Sequence, residues 1–184
     1  MPARSGGCTY HAMLRMSLKT MKKPVDIATT TFDSPLGLIR VAASPQGVCG
    51  VWFEGQRHQP DANAWPTLPD HPMLQQATVQ LTQYFAGQRH QFDLPLDLSA
   101  GTAFQQAVWQ ALLSLAFGQT CSYGNLSAQL GRPTAVRAVS GAVARNPVSL
   151  IVPCHRVLGT SGALTGYAGG LDRKAALLKL EGAL

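Results

Sequence analysis

The sequence predicts an α/β protein in two parts, a small strand-bearing first half and a helical second half. Three observations carry that expectation. Short apolar and β-branched runs broken by Pro/Gly turns fill residues 27–53. Apolar residues recur at helical spacing after residue 102. Between them, residues 93–101 (Asp-Leu-Pro-Leu-Asp-Leu-Ser-Ala-Gly) read as a boundary. The expected units are an N-terminal extension over 1–24, an α/β domain over 25–98 and a second domain over 99–184. With 184 residues, 46% of them apolar, the chain can bury a real core.

Residues 1–24 mix Arg4, Arg15, Lys19, Lys22 and Lys23 with scattered methionines, and no continuous apolar stretch makes them a secretory signal. They read as a disordered extension, with Met13, Met16 and Met21 as alternative starts. Strands follow at Ile27–Phe32 and Leu38–Ala43, flanking the turn Asp33-Ser34-Pro35-Leu36-Gly37, and a third at Gly47–Phe53. Gln56–Asp70 is proline-rich loop. His71–Ala86 then has helical spacing through Leu74, Ala77, Leu81 and Phe85, stopped by Gly87.

In the second half Thr102 can cap a helix running to about Phe117, with Phe104, Val108, Leu112 and Leu115 on one face and Trp109 in the core. Ser122 can cap a short helix, Tyr123–Leu130. Gly131-Arg132-Pro133 breaks it, and another runs from Thr134 to about Ala144, a helix-turn-helix pattern. In this last helix Ala135, Ala138, Gly141 and Ala142 form a face almost without side chains, with Arg137 beside it. Such a face lets the backbone approach something narrow, as the DNA minor groove is. Small residues equally suit tight packing against another helix.

Charge is distributed unevenly. Net charge is +6, yet residues 1–98 hold eight Lys/Arg against seven Asp/Glu, while residues 99–184 hold seven against two. From Ser99 to Leu171 there are four arginines and no acid. An unopposed basic half fits a polyanionic partner, nucleic acid above all. No apolar run approaches the ~18 residues needed to cross a bilayer. The four cysteines (Cys8, Cys49, Cys121, Cys154) show no CxxC spacing, which fits a reducing, cytoplasmic setting.

Ile151-Val152-Pro153-Cys154-His155-Arg156 carries the chemistry. A thiol attacks as its thiolate, and a nearby base and positive charge favour that form. A lone cysteine in an apolar run is more often a small buried hydrophobe. On a continuing strand Cys154 and His155 would also face opposite ways. The pair works together only if the chain turns there or a water bridges it.

Taken with Phe104-Gln105-Gln106-Ala107-Val108-Trp109, Ser122-Tyr123-Gly124, Arg137-Ala138-Val139, Asn146-Pro147, Gly166-Tyr167-Ala168-Gly169-Gly170, Lys174 and Glu181-Gly182, this cassette closely resembles the O6-alkylguanine-DNA alkyltransferases of the bacterial constitutive type. The resemblance implies a ribonuclease H-like first domain and a winged-helix second domain. It implies irreversible, single-use transfer of the alkyl group from O6-alkylguanine, and from O4-alkylthymine, in double-stranded DNA to Cys154. His155 would be the base acting through a water, Glu181 its orienting carboxylate, and Asn146 the brace of the turn. Arg137 would be the finger that enters the minor groove, on a face made by Ala135, Ala138 and Gly141. Tyr123, Val157, Tyr167 and Ala168 would line the pocket, Tyr123 also helping to rotate the nucleotide.

It further implies a monomer that uses neither adenosylmethionine nor a metal as cofactor, and that is cytoplasmic and nucleoid-associated when on DNA. Ala168 departs from relatives that have serine there. Val25 and Ser44 fall where some relatives place zinc-binding cysteines, so no structural zinc is expected, and His58, His71 and His90 read as surface or loop residues. Two other readings compete. A non-catalytic alkyl-DNA-binding protein would lack the acceptor thiol, and a helix-turn-helix regulator would need base-reading amides that Thr134–Ala144 lacks.

Overall fold

The structure, a computed structural model, describes residues 26–184. The expectations for the 1–24 extension, its alternative starts, Cys8 and Val25 lie outside the described residues. Three antiparallel strands come first: β1 (Ala28–Ser34), β2 (Gly37–Ser44) and β3 (Gly47–Phe53), in that spatial order. Ser34 pairs with Gly37, so Pro35-Leu36 form the two-residue turn, and Gly37 takes the positive φ (109°) that closes it. Gly50 is required for a different reason. A Cβ there would lie within 2 Å of the Trp52 indole, which covers that stretch of strand.

Neither edge of the sheet is bare. Thr29 of β1 exchanges hydrogen bonds with Pro66 and Leu68, and β3 pairs with two later segments. Val48 bonds to Pro95 and Asp97, and Val51 bonds to Pro147 and Ser149 at 2.9 and 3.0 Å. Covering an edge in this way removes a template for aggregation. Here it also ties the second half of the chain to the sheet.

Helix α1 (Pro72–Phe85) lies against the sheet. Proline at its first turn suits a position whose N–H has no helical partner. Its buried stripe is Leu74, Ala77, Leu81 and Tyr84, with Phe85 only partly covered, so the tyrosine rather than the phenylalanine completes the apolar face.

Helix α2 (Ala103–Leu112) opens on a complete capping box: the Thr102 hydroxyl accepts from the Gln105 N–H and the Gln105 side chain accepts from the Thr102 N–H. It stops five residues short of the expected Phe117. Leu113, Ser114 and Leu115 bond back three residues instead of four, and Gly118 turns at φ 74°. Phe104 is half-buried, and Trp109 is core as expected, its indole N–H donating to the Ala142 carbonyl at 2.9 Å.

Helix α3 (Tyr123–Gln129) is capped by the Ser122 hydroxyl, and α4 (Val136–Ala144) starts two residues later than Thr134. The intervening chain is folded back by bonds between Ser127 and Arg132 and from the Ala135 N–H to the Arg132 carbonyl. Cys121–Ser122 (β4) and Val157–Leu158 (β5) make a two-residue parallel ladder, and α5 (Leu171–Leu180) closes the chain.

Candidate active site

The site is built on the segment 146–157, and its shape begins with two tight turns. Leu150 takes φ 73°, with the Ile151 N–H bonded to the Ser149 carbonyl at 2.9 Å, a γ-turn of the strained hand. Such a residue persists only where its surroundings over-determine it. Leu150 is fully buried, and the flanking Val148 and Ser149 are held on β3. Pro153 (φ −81°, ψ 62°) makes the inverse γ-turn, its ring fixing φ, with the Cys154 N–H on the Val152 carbonyl at 2.8 Å.

Cys154-His155-Arg156 then wind into a single 3₁₀ turn. Successive side chains of such a turn are about 120° apart instead of opposed. The chain does turn at the Cys-His pair, which resolves the geometric objection raised by the sequence.

Cys154 is 3% exposed. Asn146 donates its amide to the sulfur at 3.1 Å and to the Val152 carbonyl at 2.8 Å, while its oxygen accepts the Val148 N–H at 3.0 Å. One side chain therefore closes the turn and touches the thiol. Burial pushes the Cys154 thiol up, against the opposing pull of the Asn146 hydrogen bond and the Lys174 charge. The nearby positive charge that favours the thiolate is therefore Lys174 and not the adjacent Arg156, which turns away to Glu181.

His155 is fully buried and shares a 2.8 Å hydrogen bond between its Nε2 and Glu181 Oε1. Since the carboxylate accepts, Nε2 carries the proton in the neutral ring and Nδ1 keeps the lone pair. Nδ1 has no hydrogen-bond partner among the described residues. Burial lowers the His155 pKa, more than Glu181 raises it, and Arg156 and Lys174 add to the lowering.

Glu181 sits at the C-cap of α5 and is almost entirely buried. Arg156 grips it with Nε at 2.7 Å from Oε2 and a second nitrogen at 2.9 Å from Oε1, and the Tyr84 hydroxyl donates to Oε1 at 2.6 Å. Burial alone would raise its pKa, but the bonds from His155, Arg156 and Tyr84 hold it well below the usual carboxylate range.

Two of these partners escaped sequence reasoning. Tyr84 gave no signal beyond a place one residue off the predicted helical face. Lys174, quoted only as a motif residue, is fully buried, and its ammonium donates to the carbonyls of Val157 and Thr165. Burial lowers its pKa to about 8.

The expected pocket residues gather around the same turn. Tyr123, at the start of α3, donates its hydroxyl to the Gly166 carbonyl at 3.0 Å. Val157 follows the 3₁₀ turn directly, and Tyr167 packs edge-on to His155 with centroids 6.5 Å apart. The Ala168 carbonyl accepts from the Arg57 N–H. Arg173 ties this loop to the first half of the chain, donating to Leu36 and Gly169 carbonyls and stacking 4.7 Å from the Phe53 ring.

Helix α4 divides its small residues between two tasks. Ala138 and Arg137 are exposed and Ala135 and Gly141 half-exposed, but Ala142 is buried beneath Trp109. The bare face is thus narrower than the sequence indicated. His58, His71 and His90 all lie outside helices and strands as expected, His58 and His90 exposed and His71 half-buried, with His90 stacked on Phe117 at 4.1 Å. Ser44 bonds Asp97 at 2.6 Å. Among the described residues, no group of three or more His, Cys, Asp or Glu is placed to hold a metal ion, and no helix is long and apolar enough to cross a membrane.

Two family models match successive stretches of the chain. The sequence model of the 6-O-methylguanine DNA methyltransferase ribonuclease-like domain matches residues 27–98, and that of the DNA binding domain of the same family matches residues 103–183. The methylated-DNA–protein-cysteine methyltransferase of Mycobacterium tuberculosis (strain ATCC 25618 / H37Rv) is 47% identical over 151 residues, covering 82% of this chain and 90% of the relative. The protein of that description from Haemophilus influenzae is 40% identical over 153 residues, covering 83% and 84%. The crystal structure of M. tuberculosis O6-methylguanine methyltransferase is similar with a TM-score of 0.77 at 44% identity, over 85% of this chain and 93% of that one. A structure of M. tuberculosis OGT in complex with DNA gives 0.76 at 44% identity, over 85% and 92%.

Proposed function

The chain belongs to the 6-O-methylguanine DNA methyltransferase family, and from that premise we propose that it repairs DNA directly, moving the alkyl group of O6-alkylguanine onto Cys154. The observation that carries the assignment is a pair of buried bonds beside the thiol: Asn146 donates to the sulfur, and Glu181 orients a neutral His155, the next residue along. Transfer from O4-alkylthymine is proposed on the same chemistry.

The sulfur attacks the alkyl carbon. The S–C bond forms as the C–O6 bond breaks, and the electron pair stays on the guanine oxygen. Because burial raises the Cys154 pKa, the thiol rests protonated, and its proton must leave as attack proceeds. His155 Nδ1 takes it through one water, and Glu181 stabilises the imidazolium that results, the logic of a catalytic triad. Tyr123 hydrogen-bonds the guanine as it leaves; the guanine anion takes up one proton and the imidazolium gives up the one it took from the thiol, so no net proton is gained or lost. The product is a thioether, which does not leave at neutral pH, so one molecule of protein performs one repair. The chain's own groups complete the step without adenosylmethionine.

A stacked base cannot reach a buried sulfur, so the nucleotide must flip out, at a cost of a few kcal/mol. Arg137, exposed on α4 beside Ala135, Ala138 and Gly141, is proposed to enter the minor groove of double-stranded DNA and fill the vacated place. Tyr123, Val157, Tyr167 and Ala168 are proposed to line the base pocket. A reducing cytoplasm, with the nucleoid as the place of work, suits the three free cysteines among the described residues.

Incubation with duplex DNA containing O6-methylguanine, followed by intact-mass and peptide analysis, tests the assignment. One methyl should replace one hydrogen, on Cys154. Folded protein that binds the duplex with an unshifted mass would establish the non-catalytic reading instead.

A further inference from the structure

The carboxylate behind His155 is gripped from both halves of the chain. Tyr84 lies in the last turn of α1, is fully buried, and donates its hydroxyl to Glu181 Oε1 at 2.6 Å. The same oxygen accepts from His155 at 2.8 Å and from Arg156 at 2.9 Å. Oε2 accepts from Arg156 at 2.7 Å and from the Gly118 N–H at 3.4 Å. A carboxylate has about four lone-pair sites, so its acceptor capacity is filled and its donors compete.

Packing aims the phenol. Phe85 and Phe92 stand with centroids 5.4 Å from the Tyr84 ring and Phe117 at 6.2 Å. A phenylalanine would fill that aromatic nest equally well; only the hydroxyl distinguishes Tyr84 from its neighbours. An O–H···O⁻ contact of this length is a charge-assisted bond of the stronger kind.

We propose that Tyr84 is a positioning residue for alkyl transfer, fixing Glu181 Oε1 and drawing charge from it so that His155 stays a neutral base with its lone pair on Nδ1. The inference rests on the reading of Cys154 as the alkyl acceptor. Without the hydroxyl, the carboxylate becomes more basic and pulls His155 toward imidazolium, which cannot take the thiol proton. The other groups facing the imidazole and its carboxylate leave that balance to Glu181. Arg156 and Lys174 both oppose a second positive charge, while Cys154 and Tyr167 rest neutral and His90 lies beyond Phe117.

The full-length wild type and Tyr84→Phe serve as the test, with single-turnover methyl transfer from O6-methylguanine duplex measured between about pH 6 and 9 and His155 followed by ¹⁵N NMR. The variant should be slower by about tenfold near pH 7, a fraction of one charge-assisted bond. The gap should close as pH rises, and His155 should titrate at higher pH than in the wild type. A loss of one constant factor at every pH, or no loss, overturns the proposal, because packing alone would do either.

A wild type that gains no methyl overturns the alkyl-acceptor reading, and the His155 titration then still judges Tyr84 by itself. If Tyr84→Phe does not fold, 3-fluorotyrosine at position 84 keeps the ring and strengthens the donor. His155 should then titrate at lower pH, and an unmoved titration overturns the proposal.

Discussion

Asn146 is at once the brace of the active-site turn and a hydrogen-bond donor to Cys154. Its amide nitrogen lies 3.1 Å from the sulfur and 2.8 Å from the Val152 carbonyl, and its oxygen accepts the Val148 N–H. Replacing it by alanine leaves the buried Val148 N–H without its partner, at about 1–3 kcal/mol, while the Val152 carbonyl keeps only the Cys154 N–H. It also removes a group that favours the thiolate. Asn146→Ala should therefore lose stability in urea unfolding and transfer the methyl group more slowly in single-turnover assays.

Cys154→Ala separates chemistry from recognition. The side chain removed is small and 3% exposed, whereas Arg137 and Ala138 of α4 face solvent. Methyl transfer should vanish, while affinity for O6-methylguanine duplex, measured by fluorescence anisotropy at fixed salt, stays near the wild-type value.

Arg137→Ala bears on delivery of the base. Arg137 is exposed and distant in sequence from the buried chain of Cys154, His155 and Glu181. Repair of duplex should slow far more than reaction with the free O6-alkylguanine base. Equal losses on the two substrates would remove the finger role.

Glu181 links stability to pH with a definite sign. Its folded-state pKa is depressed, so its contribution is fully present above the ordinary carboxylate range and is lost as pH falls through that range toward the folded value. The wild type should thus lose urea resistance steadily below about pH 4. Glu181→Gln leaves Arg156 buried beside a neutral partner and should cost about 3–5 kcal/mol at neutral pH. Its acid loss should be shallower, because the titrating group is gone.

The three strands were legible because each turn between them carries its own punctuation, Pro35-Leu36-Gly37 and Pro45-Gln46-Gly47. The pairing of His155 with Glu181 was legible only through a family resemblance, since the two stand 26 residues apart and nothing local joins them. The end of α2 was not legible. Leu115 continues the helical spacing of Phe104, Val108 and Leu112, yet Phe117 leaves the helix to stack on His90 and meet Tyr84 edge-on. Tyr84 was missed for a related reason: a spacing of four picks Phe85 after Leu81, while the face toward the sheet follows a spacing of three. Arg156 could be placed near Cys154 by adjacency alone, but a turn sends neighbouring side chains to different partners.

The bonds from Val51 to Pro147 and Ser149 make the sheet and the thiol-bearing segment one continuous hydrogen-bonded body. Amides there should exchange with solvent only when the whole sheet opens. The stretch 166–170 is tied in the same way to several elements: Gly166 accepts from the Tyr123 hydroxyl, Ala168 from the Arg57 N–H and Gly169 from Arg173.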